Sequence, residues 1–208
     1  MFNALEMLAR EDANMLITHE REKLMNSIIY FVQNTPKCEM IKLFKLLYLL
    51  DFTHFKMTGR SVTGLDYYAE KIGPVPLNVH EKLDLLEYEY DLLKKININK
   101  TLDGLILTCN PEIKFDIAHF SKRELQIMEN LAQEYKYHRA NKITEASHLE
   151  NQPWDKIFNH SKYKQKEKQI PYELAVPEKE YKKVMAIAKE HQQIIGSLRG
   201  DARVNFFR

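Results

Sequence analysis

One run, Ile41 to Phe55 (IKLFKLLYLLDFTHF), constrains this chain more than any other stretch. Ile41, Phe44, Leu47, Tyr48, Phe52 and Phe55 recur at three- and four-residue steps, the spacing of one helix face. Leu43, Leu46, Leu49 and Leu50 fill most of the other faces, leaving Lys42, Lys45, Thr53 and Lys56 as a polar stripe. A helix apolar almost all round belongs at the centre of a core. The uncharged run between Lys45 and Asp51 is far shorter than the roughly 20 residues needed to cross a bilayer.

The helix is expected to stop near Met57, because Thr58-Gly59-Arg60 places a glycine where a left-handed cap is wanted. Ser61-Val62-Thr63-Gly64 is a second turn signal. Leu65 to Ile72 is aromatic and compatible with either an extended strand or a short helix. Gly73-Pro74-Val75-Pro76 then demands a rigid, extended connection, since each proline sets its own φ and keeps its predecessor out of helix.

Elsewhere the signals are plainer. Residues 1–17 carry Leu5, Leu8 and Met15-Leu16-Ile17, the pattern of a short docking helix. Leu24, Ile28, Phe31 and Val32 mark a helix from Glu20 to Gln33, ended by Asn34-Thr35-Pro36. Val79, Leu83, Leu86 and Tyr90 mark another after Pro76. Ile96 to Lys100 alternates in steps of two, Asp103-Gly104 is a favoured hairpin pair, and Leu105 to Thr108 reads as the returning strand. Lys114 to Ile117 is a candidate third strand. Ser121-Lys122-Arg123-Glu124 is a capping box opening a helix with Leu125, Met128, Leu131 and Ala132 on one face. Thr144 to Leu149 reads as a short helix, Ser161 to Gln169 as a polar, lysine-rich loop, and Pro177-Glu178 as the start of a final helix. That helix carries Tyr181, Val184, Ile187, Ala188, His191 and Ile194 or Ile195, with Gly196 and Gly200 weakening its end. The expected fold is mainly α with minor β: a compact helical domain around the central apolar helix, with a small antiparallel β-hairpin.

The 208 residues are 44% hydrophobic and 29% charged, with a net charge of +2. That is enough apolar matter for a core, and a balance that does not require nucleic acid. Cys38 and Cys109 are far apart, without C-x-x-C or clustered histidines, as free thiols in a reducing compartment would be. No basic start precedes an apolar run, so no secretory signal is expected, and the expected location is cytoplasmic.

The run KLLYLLDFTHFKMTGRSVTGLDYYAEKIGPVP resembles the core of the Panacea domain, the antitoxin family that includes SocA- and GepA-like proteins. Lys45, Leu46, Leu47, Tyr48, Asp51, Gly59, Arg60, Thr63, Gly64, Tyr67, Tyr68, Gly73, Pro74, Val75 and Pro76 match its pattern in order and spacing. Ser147-His148, Pro153-Trp154 and Ile170-Pro171-Tyr172-Glu173 resemble the family's C-terminal segment, so the likeness covers roughly residues 20 to 175. The organisation expected is an N-terminal extension over 1–17, the Panacea-like domain over 18–176, and a C-terminal helix and tail over 177–208. The resemblance implies an antitoxin that holds a toxin encoded beside it inactive by direct binding. It implies no enzyme activity, cofactor or metal. Partner toxins of the family include translation blockers and membrane-active peptides, and a SocA-like member acts as a proteolytic adaptor.

Asp51 and His54, three apart on one helix, are the candidate acid–base pair or metal half-site, but no H-E-x-x-H or third ligand accompanies them. The favoured reading is structural, with Asp51 bonded to local backbone or to Arg60. Lys162, Lys164, Lys166 and Lys168 suit either a solvated loop or phosphate contacts of a DNA-binding autorepressor, with the loop favoured. Ser161-Lys162-Tyr163-Lys164 matches S-x-x-K without the companion elements of serine acylases. His148 and Trp154 suit a partner pocket or, preferably, a core plug. Arg60, Tyr67, Tyr68 and Lys71 are the candidate partner-binding residues, because arginine and tyrosine are enriched where protein surfaces meet. The alternative for the two tyrosines is closure of the core.

Overall fold

A computed structural model describes residues 20–76, 96–101, 104–140, 143, 152–159 and 168–198. The docking helix of residues 1–17, the helices at Val79–Tyr90 and Thr144–Leu149, His148, residues 161–167 of the lysine run, and the tail after 198 lie outside the described residues. Helix α1 spans 20–34 and ends where Thr35 turns both its N–H and its hydroxyl onto the Phe31 carbonyl. Strand β1 (Cys38–Glu39) leads into the central helix α2 (Met40–Thr58). Strands β2 (Tyr68–Glu70) and β3 (Gly73–Val75) form one hairpin, and β4 (Ile96–Thr101) and β5 (Gly104–Cys109) another. Helices α3 (Lys122–Glu134), α4 (Pro153–Phe158) and α5 (Glu178–Leu198) follow, with short 3-10 turns at Ile117–His119 and Tyr172–Ala175. The fold is mainly α with minor β, as the sequence leads one to expect.

α2 is the axis. It touches β1, β3, β5, α3, α5 and the Tyr172–Ala175 turn. Leu43, Phe44, Leu46, Leu47 and Leu50 are fully buried, and Ile28, Ile29 and Phe31 of α1 pack into the same cluster. The polar stripe does not stay wet. Thr53 and Lys56 face solvent, but Lys42 and Lys45 are buried. Their long aliphatic stems run through the core while each ammonium reaches a backbone carbonyl, Lys42 that of Lys136 and Lys45 that of Pro74.

The hairpin at Ile96–Cys109 forms, with Ile96, Ile98, Leu105, Leu107 and Cys109 turned toward the core at alternate positions. Its third strand is not Lys114–Ile117. β1 pairs with β5, Cys38 opposite Leu107, giving the order β1-β5-β4. The Lys114 region is held instead by side chains: the Asp116 N–H donates to Asn26, and the Asp116 carboxylate caps the following 3-10 turn. α3 begins with both halves of the capping box made. Met128, Leu131 and Ala132 face the core as expected, joined by Ile127 rather than by the half-buried Leu125.

Gly59 joins two elements. Its φ of 71° supplies the left-handed cap, and its N–H returns to the Phe55 carbonyl. A Cβ there would also stand 2.7 Å from the Val184 carbonyl oxygen and 2.9 Å from the Ala188 nitrogen, both backbone atoms of α5. Gly59→Ala is therefore expected to cost about 1–2 kcal/mol for the left-handed backbone and about 1–3 kcal/mol for forcing α5 away. Urea unfolding followed by the fluorescence of Trp154 measures the sum, and unchanged stability would show that α5 does not rest on Gly59.

Candidate functional site

The turn-rich loop after α2 is built around one carboxylate. Asp51 is wholly buried, and its oxygens accept from four donors. Oδ1 takes the Val62 N–H at 2.7 Å and the Thr63 N–H at 2.8 Å, and Oδ2 takes the Thr63 hydroxyl and the Tyr67 hydroxyl at 2.7 Å. Burial pushes the Asp51 carboxyl up from the usual range, and the four donors oppose that push. The sequence reading that Asp51 bonds local backbone holds, with Val62 and Thr63 rather than Arg60 as its partners. His54 is engaged separately, its Nδ1 against the Arg60 carbonyl at 2.8 Å and beside the Thr58 hydroxyl. No hydrogen bond joins Asp51 to His54. Among the described residues no group of three or more His, Cys, Asp or Glu is placed to hold a metal ion.

The other motif residues explain one another through this loop. Gly64 has a φ of 69° and Gly73 a φ of 100°. The first turns the chain toward Tyr67, and the second opens β3 after the Lys71-Ile72 turn. In the β2–β3 hairpin, Tyr68 pairs with Val75, Ala69 with Pro74 and Glu70 with Gly73. The Ala69 N–H points the other way, to the Lys168 carbonyl at 2.7 Å, while the Ile170 N–H donates to Tyr67. Ala69 and Pro74 are thus a pair without mutual hydrogen bonds, a position where proline's missing N–H costs nothing. The Pro74 carbonyl is left free for Lys45, whose Nζ lies 2.9 Å away. Tyr48, Phe52, Tyr67 and Tyr172 form one aromatic cluster, with ring centroids 4.2 to 6.3 Å apart. The Tyr48 hydroxyl is hydrogen-bonded to the Trp154 backbone, and the Trp154 indole N–H donates to the Glu70 carbonyl at 3.0 Å. Trp154 is a core plug with its polar tip satisfied.

The candidate partner-binding set divides. Tyr67 is not on the surface: it is 0% exposed, because strand alternation turns it inward onto Asp51 and Tyr68 outward. Tyr68 is half-buried, and Lys71 and Arg60 are exposed. Lys71 sits at the tip of the β2–β3 hairpin beside the exposed Ile72. Arg60 lies elsewhere, on the wall of a cleft of about 820 Å³ between the end of α2, the start of α3 and one face of α5. Sequence reasoning did not anticipate this cleft, because its walls come from segments more than a hundred residues apart. At its floor Glu124 is clamped, one oxygen on the Ser121 N–H and the other on Lys23 at 2.6 Å. Burial raises the Glu124 carboxyl, but the hydrogen bonds from Lys23 and Ser121 outweigh it and hold it below the ordinary range.

The motif's polar groups are thus turned inward, and basic and aromatic side chains stand around its loops. The chain belongs to the family described as antitoxin SocA-like, Panacea domain, whose family model matches residues 43–155, just over half of the sequence. Ile170-Pro171-Tyr172-Glu173, part of the resemblance read from sequence, falls beyond the matched residues yet packs against them through Tyr172. No curated protein and no solved structure matches the chain. Family membership makes this an antitoxin-like domain, with a toxin as its general kind of partner.

Two outcomes follow from the buried polar groups. Asp51→Ala leaves two N–H groups and two hydroxyls without their acceptor, and is expected to cost about 3–5 kcal/mol. Asp51→Asn, which keeps the shape and one acceptor, is expected to cost less; equal stability of Asp51→Ala and wild type in urea would show that the carboxylate does not organise the loop. Burial pulls the Lys45 amine down to about 7. From pH 7 upward the unfolded chain holds a proton on Lys45 that the folded chain has released, so stability rises with pH, by at most about 1.4 kcal/mol per unit. Burial pushes the Cys38 thiol up to about 11, which works in the opposite sense once an unfolded thiol titrates near pH 8.5. Below about pH 8.5 the amines therefore dominate, Lys42 adding in the same sense because burial lowers it too. Unfolding at several pH values should show the rise in wild type and a smaller rise in Lys45→Met.

Proposed function

We propose that this protein is an antitoxin that neutralises a toxin encoded beside it by direct protein–protein binding in the cytoplasm, and that it catalyses no reaction of its own. The observation that carries the reading is where the motif's polar groups go. Asp51, Lys45, Tyr48, Tyr67 and Trp154 all bond within the protein, so the matched residues build a rigid support. The outward-facing side chains around it, the exposed Arg60 and Lys71 and the half-buried Tyr68 among them, are left for a partner. A pre-formed surface of this kind binds without a large ordering cost. Arginine and tyrosine are also the residue types on which interface energy concentrates.

The test is co-expression with the product of the neighbouring reading frame. Wild type is expected to restore growth and to co-purify with that product. Arg60→Glu and Tyr68→Ala are expected to weaken the complex by about tenfold each, as truncations at interface hot spots do, with unfolding midpoints near wild type. Failure of wild type to protect the cells would overturn the reading. Full protection by both folded variants would remove Arg60 and Tyr68 from the interface.

A further inference from the structure

We propose that the cleft bordered by α2, α3 and α5 receives an acidic, amphipathic segment of the partner toxin. This rests on the neutralisation reading and names where and by what chemistry the partner is held. Three cations, Arg60, Arg123 and Lys183, line the cleft, and among the described residues none of them has a carboxylate within ion-pair range. Lys23 is already matched by Glu124. Among the described residues the only other acid on the walls is Glu20. Positive charge is therefore left over, and it is felt inside: burial lowers the His191 imidazole from its ordinary pKa, and the Arg60 charge lowers it further.

About half of the remaining lining is apolar, set among the hydroxyls of Thr58, Ser61 and Ser121 and the imidazoles of His54, His119 and His191. Met57 stands 54% exposed at the end of α2, and Ile187 and Ile195 face the cleft from α5 one turn above and one turn below His191. Unpaired cations beside the exposed Met57 and the half-buried Ile187 and Ile195 are complementary to a segment that alternates carboxylates with Leu- or Ile-like residues. A nucleic-acid backbone would use the cations and leave the aliphatic wall wet. The volume, about 820 Å³, suits a few side chains inserted from a partner rather than a whole domain.

The two walls differ in origin. His54, Arg60 and Arg123 lie within residues 43–155, which match the family, whereas Lys183, Ile187 and Ile195 lie on α5, outside them. α5 is seated by its backbone contact with Gly59, so the family core fixes where this wall stands. Its side chains are then free to suit one particular toxin.

Binding of the purified neighbouring gene product, and of a fluorescein-labelled synthetic Glu/Leu peptide, is measured against wild type and Arg123→Glu/Lys183→Glu. Both substitutions are at exposed helix positions and should leave folding intact. Wild type is expected to bind both ligands, with affinity falling as salt rises, and the double variant to bind both about tenfold or more weakly. A Lys/Leu peptide of the same pattern is expected not to bind. Equal binding of the gene product by the folded double variant overturns the cleft while leaving neutralisation standing. If wild type ignores the gene product, the neutralisation reading falls, and the peptide arm still decides the cleft. Failure of wild type to bind the Glu/Leu peptide, or preference for a DNA duplex over it, overturns the proposal.

Discussion

Everything around the loop depends on the acceptance of four hydrogen bonds by the Asp51 carboxylate. A bare carboxylate inside a core is costly, and only a full set of donors makes it tolerable. The donors come from Val62, Thr63 and Tyr67, so satisfying the charge folds residues 59–67 back over α2. Once Tyr67 is held, β2 has its direction. The hairpin and the Lys168–Ile170 segment then add to either side of it. A buried polar network of this kind is unforgiving: complete, it selects one arrangement; with one partner missing, it becomes a liability.

Lys45 and Gly59 carry the order outward. Lys45 ties α2 to the hairpin through the Pro74 carbonyl, which is available because proline occupies a position needing no donor. Gly59 ends α2 and, lacking a side chain, admits the backbone of α5. Two residues of α2 and the glycine that caps it thus set the loop, the hairpin and the last helix. The exposed Lys71 and Arg60 are left apart, one at the hairpin tip and the other on the wall of the cleft.

How much was legible depended on range. The Gly59 cap, the Ser121–Glu124 box and the Ile96–Cys109 hairpin are local devices, whose physics is contained within a few residues, and they stand where the pattern puts them. The Leu65–Ile72 stretch was ambiguous because its period is neither plainly 2 nor plainly 3.6. That ambiguity hid the difference between Tyr67 and Tyr68, which share a residue type and face opposite ways. Lys42 and Lys45 look like a wet stripe because sequence patterning assigns a lysine to solvent. The carbonyls that receive them, at Lys136 and Pro74, lie 94 and 29 residues away.

The amino-acid order alone determined that a greasy central helix exists, where it stops, that glycine and proline pin the bend after it, and which family the pattern belongs to. Each of those rests on near neighbours or on spacing along the chain. Tertiary structure decided which polar residues go inside, which tyrosine turns outward, what forms the third strand, and that a positively charged cleft opens between α2, α3 and α5. Those outcomes turn on which distant groups meet once the core closes, and a buried donor or charge is stable only when a particular remote acceptor arrives to meet it.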